Sequence, residues 1–164
     1  SAYGTTIKKP FHVINNYWEN SSYTQGVSST NRRIHKWTIK IVKAGVYGVN
    51  GSWISLGISS SIITNQHFVD GVIGVRYGYA GWNGSKLDSV HDWNISYGKP
   101  YKRGDDVSIE LDLIERQITF YKNGETQGIA YENIQQNHNT KYRIAISMYK
   151  PESEVKITQY SGHF

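Results

Sequence analysis

Residues 103–124 read RGDDVSIELDLIERQITFYKNG, and the reading of this run decides the fold class. Val107, Ile109, Leu111 and Leu113 alternate with Ser108, Glu110 and Asp112. Strict alternation is the mark of a strand with one face in a core and one in water. A short polar reversal, Glu115-Arg116-Gln117, follows, and Ile118-Thr119-Phe120-Tyr121-Lys122 alternates again. Asn123-Gly124 then stands between two strand-like runs. That pair is a strong hairpin signal, because a type I′ turn needs positive φ at both positions. The return strand is expected at Thr126–Tyr131.

The same period recurs along the chain. Trp37, Ile39 and Ile41 alternate with Thr38 and Lys40, and Trp53–Ile58 reads as a strand bounded by glycines. Val75, Tyr77 and Tyr79 share a face, as do Tyr142, Ile144, Ile146 and Met148, and Val155 with Ile157. No stretch keeps a helical apolar period over three turns. Five Trp, thirteen Tyr and sixteen Gly, with one Met, suit strands and turns. Short strands at this spacing predict an all-β sandwich of antiparallel sheets. The 164 residues form one expected domain, with a core over residues 35–160 and a less patterned N-terminal extension over residues 1–30.

Composition narrows the chemistry. There is no cysteine, which excludes disulfides, thiolate metal sites and cysteine nucleophiles and fits a reducing, cytoplasmic setting. No apolar run is long enough to span a bilayer, so no membrane partner is expected. The net charge of +5 is uneven: residues 1–50 hold seven Lys/Arg against the single acid Glu19. These cations are scattered and carry no RNA-binding signature, so a solvated surface is expected rather than a nucleic-acid site. Six histidines show no close metal-ligand spacing, and no phosphate loop is present, so neither a metal nor a cofactor is expected.

The opening run still spells three chemistries. Arg103-Gly104-Asp105 is an integrin tripeptide, but Gly104-Asp105 sits where a turn must precede the strand, and Asp can cap such a turn. Asp105, Asp106, Glu110 and Asp112 are acids, but adjacent residues of an extended chain point to opposite sides. Glu110, Asp112 and Glu115 match the E-x-D-x-x-E stretch of laminarinase-type glycoside hydrolases. Glu110 and Asp112 share a face, and Glu115 joins them only if a bulge shifts the register. Its position in the hairpin separates an enzyme from a binding module.

The ordered pieces Tyr97-Gly98, Gly104-Asp105, Leu111-Asp112-Leu113, Ile118 to Gly124 and Gly128-Ile129-Ala130-Tyr131 together resemble the core of a SPRY domain. Trp37 to Ile41 is similar to that family's W-E-V strand, Leu56-Gly57-Ile58 to its V-G-V strand, and Tyr142 to Ser147 to its closing strand. Thr38, Arg143 and Tyr131 depart from the usual Glu, Pro and Phe, and the L-D-P signature of the extended PRY-SPRY form is absent. The resemblance implies a bent, jelly-roll-like sandwich similar to concanavalin A-type lectins. It implies a non-catalytic module, a monomer as an isolated domain, that binds a short segment of a protein partner through rim loops. Such domains serve in substrate receptors of larger proteins.

The resemblance also points to residues. The family's closing strand runs into a V-W-G turn that contacts peptide, and Met148-Tyr149-Lys150 stands there. Tyr149 offers a flat amphipathic contact and Lys150 favours an acidic or carbonyl-rich partner. The alternation of Met148 with Ile144 and Ile146 reads as core. A second contact is expected after Leu56-Gly57-Ile58, at Gln66, His67 and Phe68. No catalytic residue is assigned on this reading. The alternatives are a glycoside hydrolase built on Glu110, Asp112 and Glu115, or a glycan-binding module.

Overall fold

The chain's structure is a computed structural model that describes residues 6–8, 18–22, 27–28, 33–59, 67–68, 77–88, 92–134 and 141–163. In chain order the strands are β1 (Thr6–Lys8), β2 (Trp18–Ser22), β3 (Val27–Ser28), β4 (Ile34–Lys43), β5 (Val46–Tyr47), β6 (Gly51–Ser52), β7 (Ile54–Ser59) and β8 (His67–Phe68). They continue with β9 (Tyr77–Ala80), β10 (Ser85–Asp88), β11 (Asp92–Ser96), β12 (Asp106–Asp112), β13 (Gln117–Lys122), β14 (Glu125–Tyr131), β15 (Lys141–Met148) and β16 (Glu154–His163). Two antiparallel sheets carry the fold: a six-stranded one ordered β1-β16-β4-β12-β13-β14, and an eight-stranded one ordered β11-β10-β9-β7-β15-β2-β8, with β3 paired to β15.

The alternating run behaves as its period demands. Val107, Ile109, Leu111 and Leu113 are buried, as are Ile118 and Phe120 on β13. β12 lies between β4 and β13, with Ile109 opposite Trp37 on one side and Phe120 on the other. Asn123 and Gly124 take φ of 49° and 81°, the left-handed pair a type I′ turn requires. Across the sandwich, Leu56, Ile58, Tyr142, Ile144 and Ile146 supply the facing layer of one core cluster.

Three details differ from the periodicity. The strand expected from Trp53 begins at Ile54, because the Trp53 N–H turns aside to donate to the Gly45 carbonyl at 3.0 Å. The return strand starts one residue early, at Glu125. The N-terminal segment adds the edge strand β1, but β2 lies inside the eight-stranded sheet between β15 and β8. Val75 and Gln66 lie outside the described residues.

Candidate functional site

Most acids of the opening run are engaged in holding the hairpin. Asp105 accepts from the Lys102 N–H at 2.9 Å and from the Asn123 amide at 2.9 Å, and lies 3.7 Å from the Lys122 ammonium. Its side chain is only 14% exposed, so the tripeptide Arg103-Gly104-Asp105 is a braced turn, with Gly104 at φ 92°, and not a presented loop tip. Asp112 accepts from the backbone N–H groups of Ile114 and Glu115, at 2.8 and 2.9 Å, and so caps the turn after β12. Glu115 therefore sits in the hairpin turn, exposed, beyond the last paired residue of the strand. No bulge interrupts the pairing of β12 with β13. Glu110 instead takes a hydrogen bond from the Tyr121 hydroxyl at 3.2 Å, with the Lys36 ammonium 3.9 Å away. The hydrolase alternative fails on this geometry: the three carboxylates do not share a face. Among the described residues no group of three or more His, Asp or Glu is placed to hold a metal.

A different surface is assembled at one end of the sandwich. β5 and β6 form a small hairpin over residues 46–52, with Val46 opposite Ser52 and Tyr47 opposite Gly51. Its base is tied to the sheet: the Ser52 N–H donates to the Gly81 carbonyl at 3.1 Å, and the Gly81 N–H to the Ile54 carbonyl at 2.8 Å. The Tyr149 N–H donates to the Trp53 carbonyl at 3.1 Å, and the Lys102 ammonium reaches the Val49 carbonyl at 3.3 Å. Four segments distant in sequence thus meet.

Aromatic rings fill the junction. Trp53 is central: its ring centroid is 4.8 Å from Tyr47, 5.1 Å from Tyr149 and 6.2 Å from Trp82. Trp53, Trp82 and Tyr149 are half-buried, and Tyr47 is 43% exposed. Val46 and Val49 on the hairpin are 74% and 83% exposed. An apolar patch of this kind on an otherwise polar surface marks a contact site. The Lys150 ammonium lies 5.4 Å from the Tyr149 ring centroid. Its stem crosses Gly45 so closely that a Cβ there would meet Lys150 Cβ at 2.7 Å.

Of the residues expected from the sequence, Tyr149 and Lys150 are at this rim. Met148 is buried at 3% exposure in the core, as its alternation implies, and offers no surface. His67 and Phe68 form β8, where His67 pairs Glu19, which pairs Met148. Their backbone therefore reaches the same end of the sheet, about 10 Å from β15. Tyr47, Trp53, Trp82 and Lys102 escaped the sequence reading. Trp53 stands one place before its strand and Trp82 two places after its own, so the grouping is visible only once strands are in register.

Comparison with known proteins agrees with this architecture. The SPRY domain family model matches residues 34–160. The SPRY domain of human HERC1 superposes with a TM-score of 0.67 at 20% identity, over 87% of this chain and 83% of that one. Another human SPRY domain superposes with a TM-score of 0.66 at 17% identity, over 94% of this chain and 91% of that one. Both share the bent antiparallel sandwich. The chain belongs to the SPRY domain family. It is accordingly a non-catalytic protein- or peptide-interaction module.

Proposed function

We propose that the domain binds a short peptide segment of a partner protein at the rim formed by Tyr47, Trp53, Trp82, Tyr149 and Lys150, and so recruits that partner to a larger protein. The observation that carries this reading is the packing of Trp53 against Tyr47, Tyr149 and Trp82 around an exposed apolar hairpin. Rigid aromatic anchors surrounded by exposed loops are the features on which interface energy concentrates. His67 and Phe68 extend the contact along the sheet end, and Gln66 precedes them in sequence.

Screening the domain against a displayed peptide library tests it. Selected peptides are expected to lose about tenfold or more in affinity on Tyr149→Ala, while chemical denaturation shifts by about 1 kcal/mol or less. Undiminished affinity in a folded Tyr149→Ala domain overturns the assignment.

A further inference from the structure

Strand register reveals more of this rim than ring contacts do. β9 pairs β7 with Ala80 opposite Ser55, and β7 pairs β15 with Ile54 opposite Met148. β15 pairs β2 with Met148 opposite Glu19, and β2 pairs β8 with Trp18 opposite Phe68. Carried to the strand ends, the same register aligns Trp82, Trp53, Tyr149, Trp18 and Phe68. Five neighbouring strands thus each place an aromatic residue at the same register position, a row about 19 Å long at the usual strand spacing. Ring contacts from Trp82 to Trp53 and from Trp53 to Tyr149 show that the row is a continuous surface over its first three members.

Cations flank this row. Among the described residues, Lys36, Lys40, Lys43, Lys99 and Lys122 each stand within 4 Å of a carboxylate. Lys102 and Lys150, like Lys86, Lys141 and Lys156, have no carboxylate that close among the described residues, and these two are the ones at the rim: Lys102 is held by the neutral oxygens of Val49 and Asn50, and Lys150 lies over the Tyr149 ring. Two cations beside an aromatic row are too few for the tracking of a nucleic-acid backbone, which needs a charged groove along its length.

Resting on the function proposed above, we infer that the occupant is an acidic peptide in extended form, about six residues long, that lies across the strand ends. Its apolar side chains pack on Trp82, Trp53 and Tyr149, and its Asp or Glu side chains face Lys102 and Lys150. Complementary rim charge sets partner choice and on-rate more than total affinity.

Fluorescein-labelled peptides selected from a random library are the probes, each made also with Asp and Glu replaced by Asn and Gln. The acidic forms are expected to bind about three- to tenfold tighter than their amide forms, with the gap closing as salt rises. The Lys102→Glu/Lys150→Glu double variant, whose sites are at the surface, should reverse the preference toward basic peptides while its melting curve stays close to that of the parent. Halving the peptide length should weaken binding by more than tenfold. Equal affinity of acidic and amide forms, with binding still abolished by Tyr149→Ala, overturns the acidic inference and leaves the peptide-binding rim standing. Acidic peptides that bind Tyr149→Ala and Trp53→Ala undiminished overturn both. Binding of oligouridine or phosphatidylserine vesicles, lost in the double lysine variant, in place of any peptide binding also overturns the inference.

Discussion

Two aromatic groups of the protein are of similar size but lie in opposite surroundings. Inside the sandwich, Tyr79 packs on Tyr101 at 5.0 Å and on Phe120 at 5.2 Å, with Tyr97 edge-on at 5.5 Å. At the rim, Trp53 gathers Tyr47, Trp82 and Tyr149 at comparable distances. Four phenols in and beside this interior group cap backbone. Tyr79 donates to the Lys99 carbonyl, Tyr97 to Gly128 at 2.5 Å, and Tyr101 to Tyr79 at 2.7 Å. Tyr131 donates to Gly78 and Leu87 at 2.8 and 2.9 Å. Each of these bonds gives a backbone carbonyl a partner, and leaving a buried carbonyl unpaired costs about 1–3 kcal/mol. The rim rings keep faces toward solvent. Similar side chains therefore stabilise the fold in one place and, on the function proposed above, meet a partner in the other, and the difference lies in what surrounds the ring.

That contrast can be broken from the interior side first. Tyr101→Ala should lose about 3–5 kcal/mol of stability, read by urea denaturation, because a fully buried ring and its hydrogen bond disappear together. Tyr101→Phe should lose about 1–3 kcal/mol by stranding the Tyr79 carbonyl. A Tyr101→Phe domain as stable as the parent would show that the phenol caps nothing of consequence.

Alkaline titration sharpens the same difference. Burial holds the Tyr79, Tyr101 and Tyr131 phenols well above their usual range and raises Tyr97 to about 12. In the unfolded chain these groups ionise near pH 10. The stability they contribute is therefore complete below pH 10 and is lost as pH rises from there through about 12. Denaturation midpoints measured on either side of pH 10 should fall on the alkaline side, and ultraviolet difference spectra should show these tyrosinates appearing only with unfolding.

On the rim the expected sign is reversed. Trp53→Ala should weaken peptide binding by about tenfold or more while leaving a cooperative unfolding transition. Smaller effects belong to the opening hairpin. Gly104→Ala should cost about 1–2 kcal/mol, since φ of 92° strains any side chain although nothing crowds the space. Glu110→Gln should change stability by about 0.5 kcal/mol or less, because its partners Lys36 and Tyr121 lie at a half-exposed surface. Together these separate residues that hold the turn from residues that meet a partner.

The strands of residues 107–131 were legible because burial on one face imposes a two-residue period on composition, and Asn123-Gly124 marks its own turn. Glu115 was legible only as a choice, since the sequence allowed either a turn or a bulge. The Asp112 side chain, accepting from both Ile114 and Glu115, decided it. Tyr149 and Lys150 were located through the order of family-like segments. Trp53 and Trp82 were not, because Trp53 precedes its strand by one residue and Trp82 follows its own by two, where no alternation marks them as neighbours.

By itself, then, the sequence determined an all-β sandwich, its main hairpin and its family, since these depend on local alternation, turn chemistry and the order of short motifs. Tertiary structure alone assembled the proposed rim. Which strand neighbours which, and in what register, is set by packing between segments far apart in the chain. Only that pairing brings Trp82, Trp53 and Tyr149 into contact and aligns Trp18 and Phe68 with them.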